Sequence, residues 1–172
     1  MDSYRVVTQF GRTLRNLDAV LDKAEKYAEA RKFDVNNFCT ARLFPDMLPF
    51  VFQIRNACDK AKFAAAILSG KTAPKHEDTE TTMAELRARI AKCLAFLDTL
   101  TAADFDRTKA DTLIRLPNRP GKAIPAEEYV YALQLPNFYF HVTTAYAILR
   151  NAGVQLGKPD FLQHLGPPNI GT

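Results

Sequence analysis

Residues 135–150 read LPNFYFHVTTAYAILR, a run in which aromatic and apolar residues enclose one asparagine, Asn137, and one histidine, His141. At about 100° per residue, Asn137, His141, Thr144 and Ile148 fall on one line of a helix, and Phe138, Ala145 and Leu149 fall on the adjoining line. His141 therefore borders or enters a core. Tyr139, Thr143, Tyr146 and Arg150 form a separate stripe on the opposite side, with two aromatics where a solvated helix normally carries charge.

The partners for this helix lie upstream. After Ser3, a good N-cap residue, Val7, Phe10, Leu14, Leu17, Leu21, Ala24 and Ala28 alternate steps of three and four, which predicts a long amphipathic helix. A second stripe, Met47, Val51, Ile54, Cys58, Ala61, Ala65 and Leu68, begins after Asp46 as cap, places Pro49 in its first turn and closes at Gly70. The polar segment KTAPKHEDTE is a loop, and Thr82 with Glu85 then makes a capping box for a third helix whose inner face is Met83, Leu86, Ile90, Cys93, Leu97 and Leu100.

From Thr101 to Pro125 the periodicity dissolves into a long connection, with LIRL as a short extended piece before a PNRPG turn. Pro125 opens AEEYVYAL as a helix that Pro136 either kinks or, as the preferred reading, cuts short by opening the main one, which runs to Asn151 and ends at Gly153. The tail holds Asp160 as cap for one short turn and is expected to be loosely ordered from about residue 166. Residues 1–172 read as one all-α domain, a four-helix bundle with a long connection before the last helix.

Composition narrows the function classes. At 172 residues and 47% hydrophobic content the chain can build a sizeable core. A formal charge of +4 with interleaved signs leaves no concentrated phosphate-binding face, so nucleic acid is not an expected partner. No stretch approaches the 18 or so consecutive apolar residues of a membrane helix, and MDSYRVVTQF does not resemble a signal peptide, so a cytoplasmic protein is expected. Cys39, Cys58 and Cys93 lack CxxC spacing and suggest neither a disulfide framework nor a cysteine zinc site.

No nucleotide-binding glycine motif and no HExxH is present, and Glu127 and Glu128, being adjacent, point in different directions on a helix. His76 in its charged loop and His164 in the tail read as solvent-exposed, as do Asp59 and Lys60. Two readings of His141 stay open: a core histidine satisfied by its neighbours, or a ligand or acid–base group. Asn137 could serve the backbone at the helix start, and Gln53 sits at the edge of the second stripe, where it could face the interior beside the fourth helix. The Tyr139 and Tyr146 stripe either packs under the tail or the long connection, or forms a dimer contact.

At RLFPDMLPFVFQIRNACDKAK, residues 42–62, and at LPNFYFHVTTAYAILRNAGVQLGKPDFL, residues 135–162, the chain resembles a branch of the DinB-like superfamily known only as a domain of unknown function. The resemblance implies a four-helix bundle and a homodimer, here with Tyr139, Tyr146 and Arg150 as the candidate contact. The wider superfamily is similar in fold to metal-dependent thiol transferases, whose metal site takes one histidine from the second helix and an HxxxH pair from the last. Carried onto this chain, the pair falls on Asn137 and His141, and the second-helix position falls on Gln53.

Amide oxygens are weak ligands for zinc or nickel, so His141 is the sole metal candidate of the three, with a degenerate site or none as the expectation. The resemblance leaves three functions open. One is a small-molecule pocket at Gln53, Asn137 and His141; another is a metal-dependent transferase or hydrolase; the third is a protein-interaction scaffold.

Overall fold

The computed structural model describes residues 1–116 and 119–163. Four long helices carry the core: α1 (Ser3–Arg31), α2 (Phe50–Ser69), α3 (Met83–Asp98) and, near the end, α5 (Leu135–Asn151). The expected stripes are the buried ones. On α1 these are Val7, Phe10, Leu14, Leu17, Leu21, Ala24 and Ala28; on α3 they are Met83, Leu86, Ile90, Cys93 and Leu97. Helix α2 lies at the centre, against α5 on one side and α3 on the other, and the Phe10 and Phe138 rings join α1 to α5 with centroids 4.5 Å apart. The fold is an all-α bundle.

The helix ends follow local chemistry, with shifts from expectation at α1, at α2 and at the last short turn, where Gly157 is the cap and Asp160 stands inside the turn, accepting from the Gly157 amide at 2.9 Å. Asp2, not Ser3, caps α1, its carboxylate accepting from the Arg5 amide at 2.9 Å. Helix α2 starts at Phe50, so Met47 lies outside it and Pro49 stands at the cap instead of inside the first turn. The reason is steric: a residue before proline is driven out of helical backbone, and Leu48 precedes Pro49. Gly70 ends α2 with φ 73°, a conformation that glycine adopts without strain, and Arg107 fills the space a β-carbon would need. The Thr82 and Glu85 capping box opens α3 as expected.

The long connection contains a 3₁₀ turn at Ala102–Phe105 and an antiparallel hairpin of β1 (Leu113–Arg115) and β2 (Ala123–Pro125), in which Ile114 pairs Ile124. Residues 117 and 118 of the PNRPG turn, His164, and the tail from 166 lie outside the described residues. After β2 the chain does not break into two helices. A single α turn, α4 (Ala126–Glu128), runs into a π segment (Tyr129–Gln134) and directly into α5. Pro136 explains the change of pitch. It has no N–H to give to a carbonyl one α turn back, and the wider ladder before it, with the Leu135 amide bonding the Val130 carbonyl, lets the helical chain run on through the proline.

One further α turn, α6 (Lys158–Phe161), folds back over α1 and α5. Its Phe161 carbonyl accepts from Asn16 Nδ2 at 2.8 Å, and Asp160 pairs with Lys23 at 2.6 Å. Among the described residues no helix is long and apolar enough to cross a membrane.

Candidate functional site

Helices α2 and α5 bring Gln53 and His141 together inside the bundle. Gln53 is 3% exposed and His141 7%, and His141 Nδ1 lies 2.9 Å from Gln53 Oε1. The other end of the amide decides the proton's place. Gln53 Nε2 donates to the Leu48 carbonyl at 3.0 Å, and a carbonyl can only accept. The amide oxygen therefore faces the ring, His141 Nδ1 carries the proton, and Nε2 keeps its lone pair. Nε2 makes no hydrogen bond among the described residues.

The surroundings keep this ring neutral. Burial, with the nearby Lys60 ammonium as a second cause, pushes the His141 pKa down to about 4. The Phe52 and Phe140 rings meet the imidazole edge-on at 6.0 and 5.2 Å, and Phe140 is 58% exposed while Leu48 is 49% exposed. A buried polar pair thus borders apolar side chains that reach water.

Of the three residues singled out by sequence, the third is placed nearby but unconnected. Asn137 is half-buried one turn before His141 and makes no side-chain hydrogen bond among the described residues. Thr144, on the same line, is buried with its hydroxyl donating to the Phe140 carbonyl at 2.7 Å.

The donor set does not suit a metal. Gln53 Oε1 is already committed to His141, the remaining candidate is a neutral amide, and no group of three His, Cys, Asp or Glu side chains among the described residues could hold an ion. A lone imidazole with amide neighbours is a poor site for zinc or nickel.

The tyrosine stripe on the far side of α5 is engaged within the chain. Tyr139 Oη accepts from Gln9 Nε2 at 2.7 Å and lies 3.4 Å from Thr13 Oγ1, and the Tyr146 ring meets Phe161 of α6 edge-on at 5.9 Å. Packing under the tail thus accounts for Tyr146, and α1 accounts for Tyr139. Arg150 is exposed.

A second polar cluster was not foreseen. Arg89 of α3 has a side chain 1% exposed, and its guanidinium meets Asp59 at 2.7 Å, Asp78 at 2.6 Å and Glu80 at 2.8 Å. Arg55 of α2 also pairs with Glu80, at 2.9 Å, and Lys62, 3% exposed, reaches Asp59 at 3.0 Å. Two expectations are corrected here. Asp59 is a shared counter-ion instead of a solvated carboxylate, and His76, whose side chain is 3% exposed, is buried against Lys62. The available signal was the acid-rich segment EDTE facing a helix with Arg55, Asp59 and Lys62 on adjoining turns. Cys58 and Cys93 sit deep beside this cluster as free thiols, the Cys93 thiol donating to the Cys58 carbonyl at 3.4 Å.

Comparison with known proteins now adds to this geometry. A family model described as a domain of unknown function, DUF1993, matches residues 4–162. The chain belongs to this family. It is also similar to a DinB family member protein from Shewanella denitrificans known by crystal structure, with 43% sequence identity and a TM-score of 0.89. That similarity covers 98% of this chain and 94% of the other, so this DUF1993 member shares a DinB-type bundle along nearly its whole length. Among curated proteins none matches.

Proposed function

We propose that this DUF1993 protein binds a small molecule at the α2–α5 pair without a metal, the ligand giving a hydrogen bond to His141 Nε2 and laying an apolar part against Leu48, Phe52 and Phe140. The observation that carries this reading is the Gln53 contact, which commits Nδ1 and leaves Nε2 as an acceptor on a neutral ring. No described residue uses that lone pair, and apolar and aromatic side chains around a few convergent polar groups are the usual lining of a ligand site. Asn137, uncommitted one turn away, supplies a further donor and acceptor for orientation.

The test is a fragment screen followed by nitrogen-15 shifts of the His141 ring, with zinc, nickel and manganese as parallel additions. Compounds carrying an O–H or N–H beside an apolar group should move the Nε2 signal and lose affinity in His141→Ala. Near-stoichiometric metal, lost in the same variant, would replace this reading with the metal-dependent transferase or hydrolase expected of better-equipped relatives. Absence of any hit at Nε2 would leave the pair a packing element.

A further inference from the structure

The segment 71–82 between α2 and α3 sinks one histidine into the bundle. From α2, Lys62 brings Nζ to 3.0 Å from His76 Nδ1, and Asp59 Oδ1 lies 3.6 Å from that nitrogen. From α3, Arg89 and Lys92 add positive charge around the ring. On the segment itself, Asp78 and Glu80 are bound to Arg89, while Lys75 and Glu77 pair with each other at the surface. An ammonium group has donors only, so Nδ1 is its acceptor and the imidazole proton resides on Nε2. That Nε2 is buried with no hydrogen-bond partner.

A second proton has no favourable place on this ring. At Nδ1 it removes the acceptor from Lys62 and sets two cations 3.0 Å apart, with two more behind them. Asp59 is the carboxylate that reaches the ring, at 3.6 Å, and its Oδ1 is already shared by Arg89 at 2.7 Å and Lys62 at 3.0 Å, while Asp78 and Glu80 are held by Arg89. We propose that His76 is an acid-operated latch, whose protonation expels the ring from between α2 and α3 and frees the 71–82 segment. Burial, with Arg89 and Lys62 next, holds the docked imidazole below its ordinary range.

The sign follows from linkage. A released histidine titrates near 6.5 and the docked ring lower, so the closed state is favoured in full above about 6.5 and loses that advantage as pH falls below it. Opening of the segment should rise from about pH 7.5 to about pH 5.5 by at most about tenfold, the limit set by the released ring binding a proton over this range while the docked ring resists it.

Hydrogen–deuterium exchange on the full chain, corrected for intrinsic rates, reads this directly in peptides from 71–82, with α1 peptides as control. The His76→Asn variant keeps a neutral acceptor for Lys62 but does not titrate. A rise on acidification in the wild type and a flat profile in His76→Asn are expected. Equal pH dependence in both, or a flat wild type, would overturn the latch. Should His76→Asn fail to fold, an NMR titration of His76 in the wild type decides: a midpoint below that of free imidazole supports the latch, and one at or above it removes it.

Discussion

Helix α2 has a different kind of buried polarity on each flank. Toward α3 lie charges: Arg89 with Asp59, Asp78 and Glu80, Arg55 with Glu80, and Lys62 with Asp59. Toward α5 lies a neutral pair, Gln53 and His141, bordered by partly exposed aromatic rings. The charged side ties a connecting segment to two helices through ion pairs. The neutral side ties nothing but two helices together, and it leaves a lone pair unspent. Buried ions are tolerated when each charge meets an opposite one, whereas a ligand site needs a group that its own protein has not used up.

The sharpest way to break this contrast is to remove its central cation. Arg89→Met should cost about 3 kcal/mol in urea unfolding, because Asp59 and Glu80 lose a charged partner and keep only Lys62 and Arg55, while the exposed Asp78 falls back on water. A loss below about 1 kcal/mol would mean that solvent already screens these carboxylates.

On the neutral side a smaller loss is expected. Gln53→Leu should cost about 1–3 kcal/mol by leaving the His141 Nδ1 proton unanswered. Adding His141→Phe should recover part of that loss, since removing both polar partners costs less than removing one. Strict additivity of the two changes would show that the hydrogen bond is not what joins them.

The pH dependence separates the flanks further. His141 is held at about 4 when folded against about 6.5 when unfolded, so its contribution is complete above 6.5 and is lost as pH falls from there toward 4. In that window global stability should fall with a slope of at most about 1.4 kcal/mol per pH unit from this group. His141→Phe should remove that slope while leaving the local opening of 71–82 unchanged.

The smallest effect belongs to the end of the charged segment. Thr82→Ala removes a hydroxyl that accepts from the Glu85 amide at 3.3 Å and should cost about 1 kcal/mol, read as a shift in the denaturation midpoint.

Much of this bundle was legible because helical periodicity is local. The stripes on α1 and α3, the Gly70 terminus and the Thr82 and Glu85 box depend on residues within a few positions of one another. The errors came where one position is overruled by its neighbour or by a distant element. Leu48 before Pro49 delayed α2, and Pro136 was absorbed by a π turn that no short-range rule anticipates. At the site, Gln53 and His141 could be nominated from their stripes and from resemblance, but the direction of the Gln53 amide, and with it the His141 tautomer, depends on the Leu48 carbonyl.

Sequence by itself therefore determined the four amphipathic helices, the Thr82 cap, the Gly70 terminus and the presence of polar groups on the inner faces, since hydrophobic burial follows residue spacing. Only tertiary structure decided that Asp59 is a shared counter-ion and the His76 side chain is buried, that Arg89 draws three carboxylates together, and that Asn137 stays apart from the pair it was expected to join. The physical reason is range. Apolar burial is set by periodicity along one helix, while a hydrogen bond or ion pair needs two groups within about 3 Å, and residues 88 positions apart, such as Gln53 and His141, reach that distance only through packing.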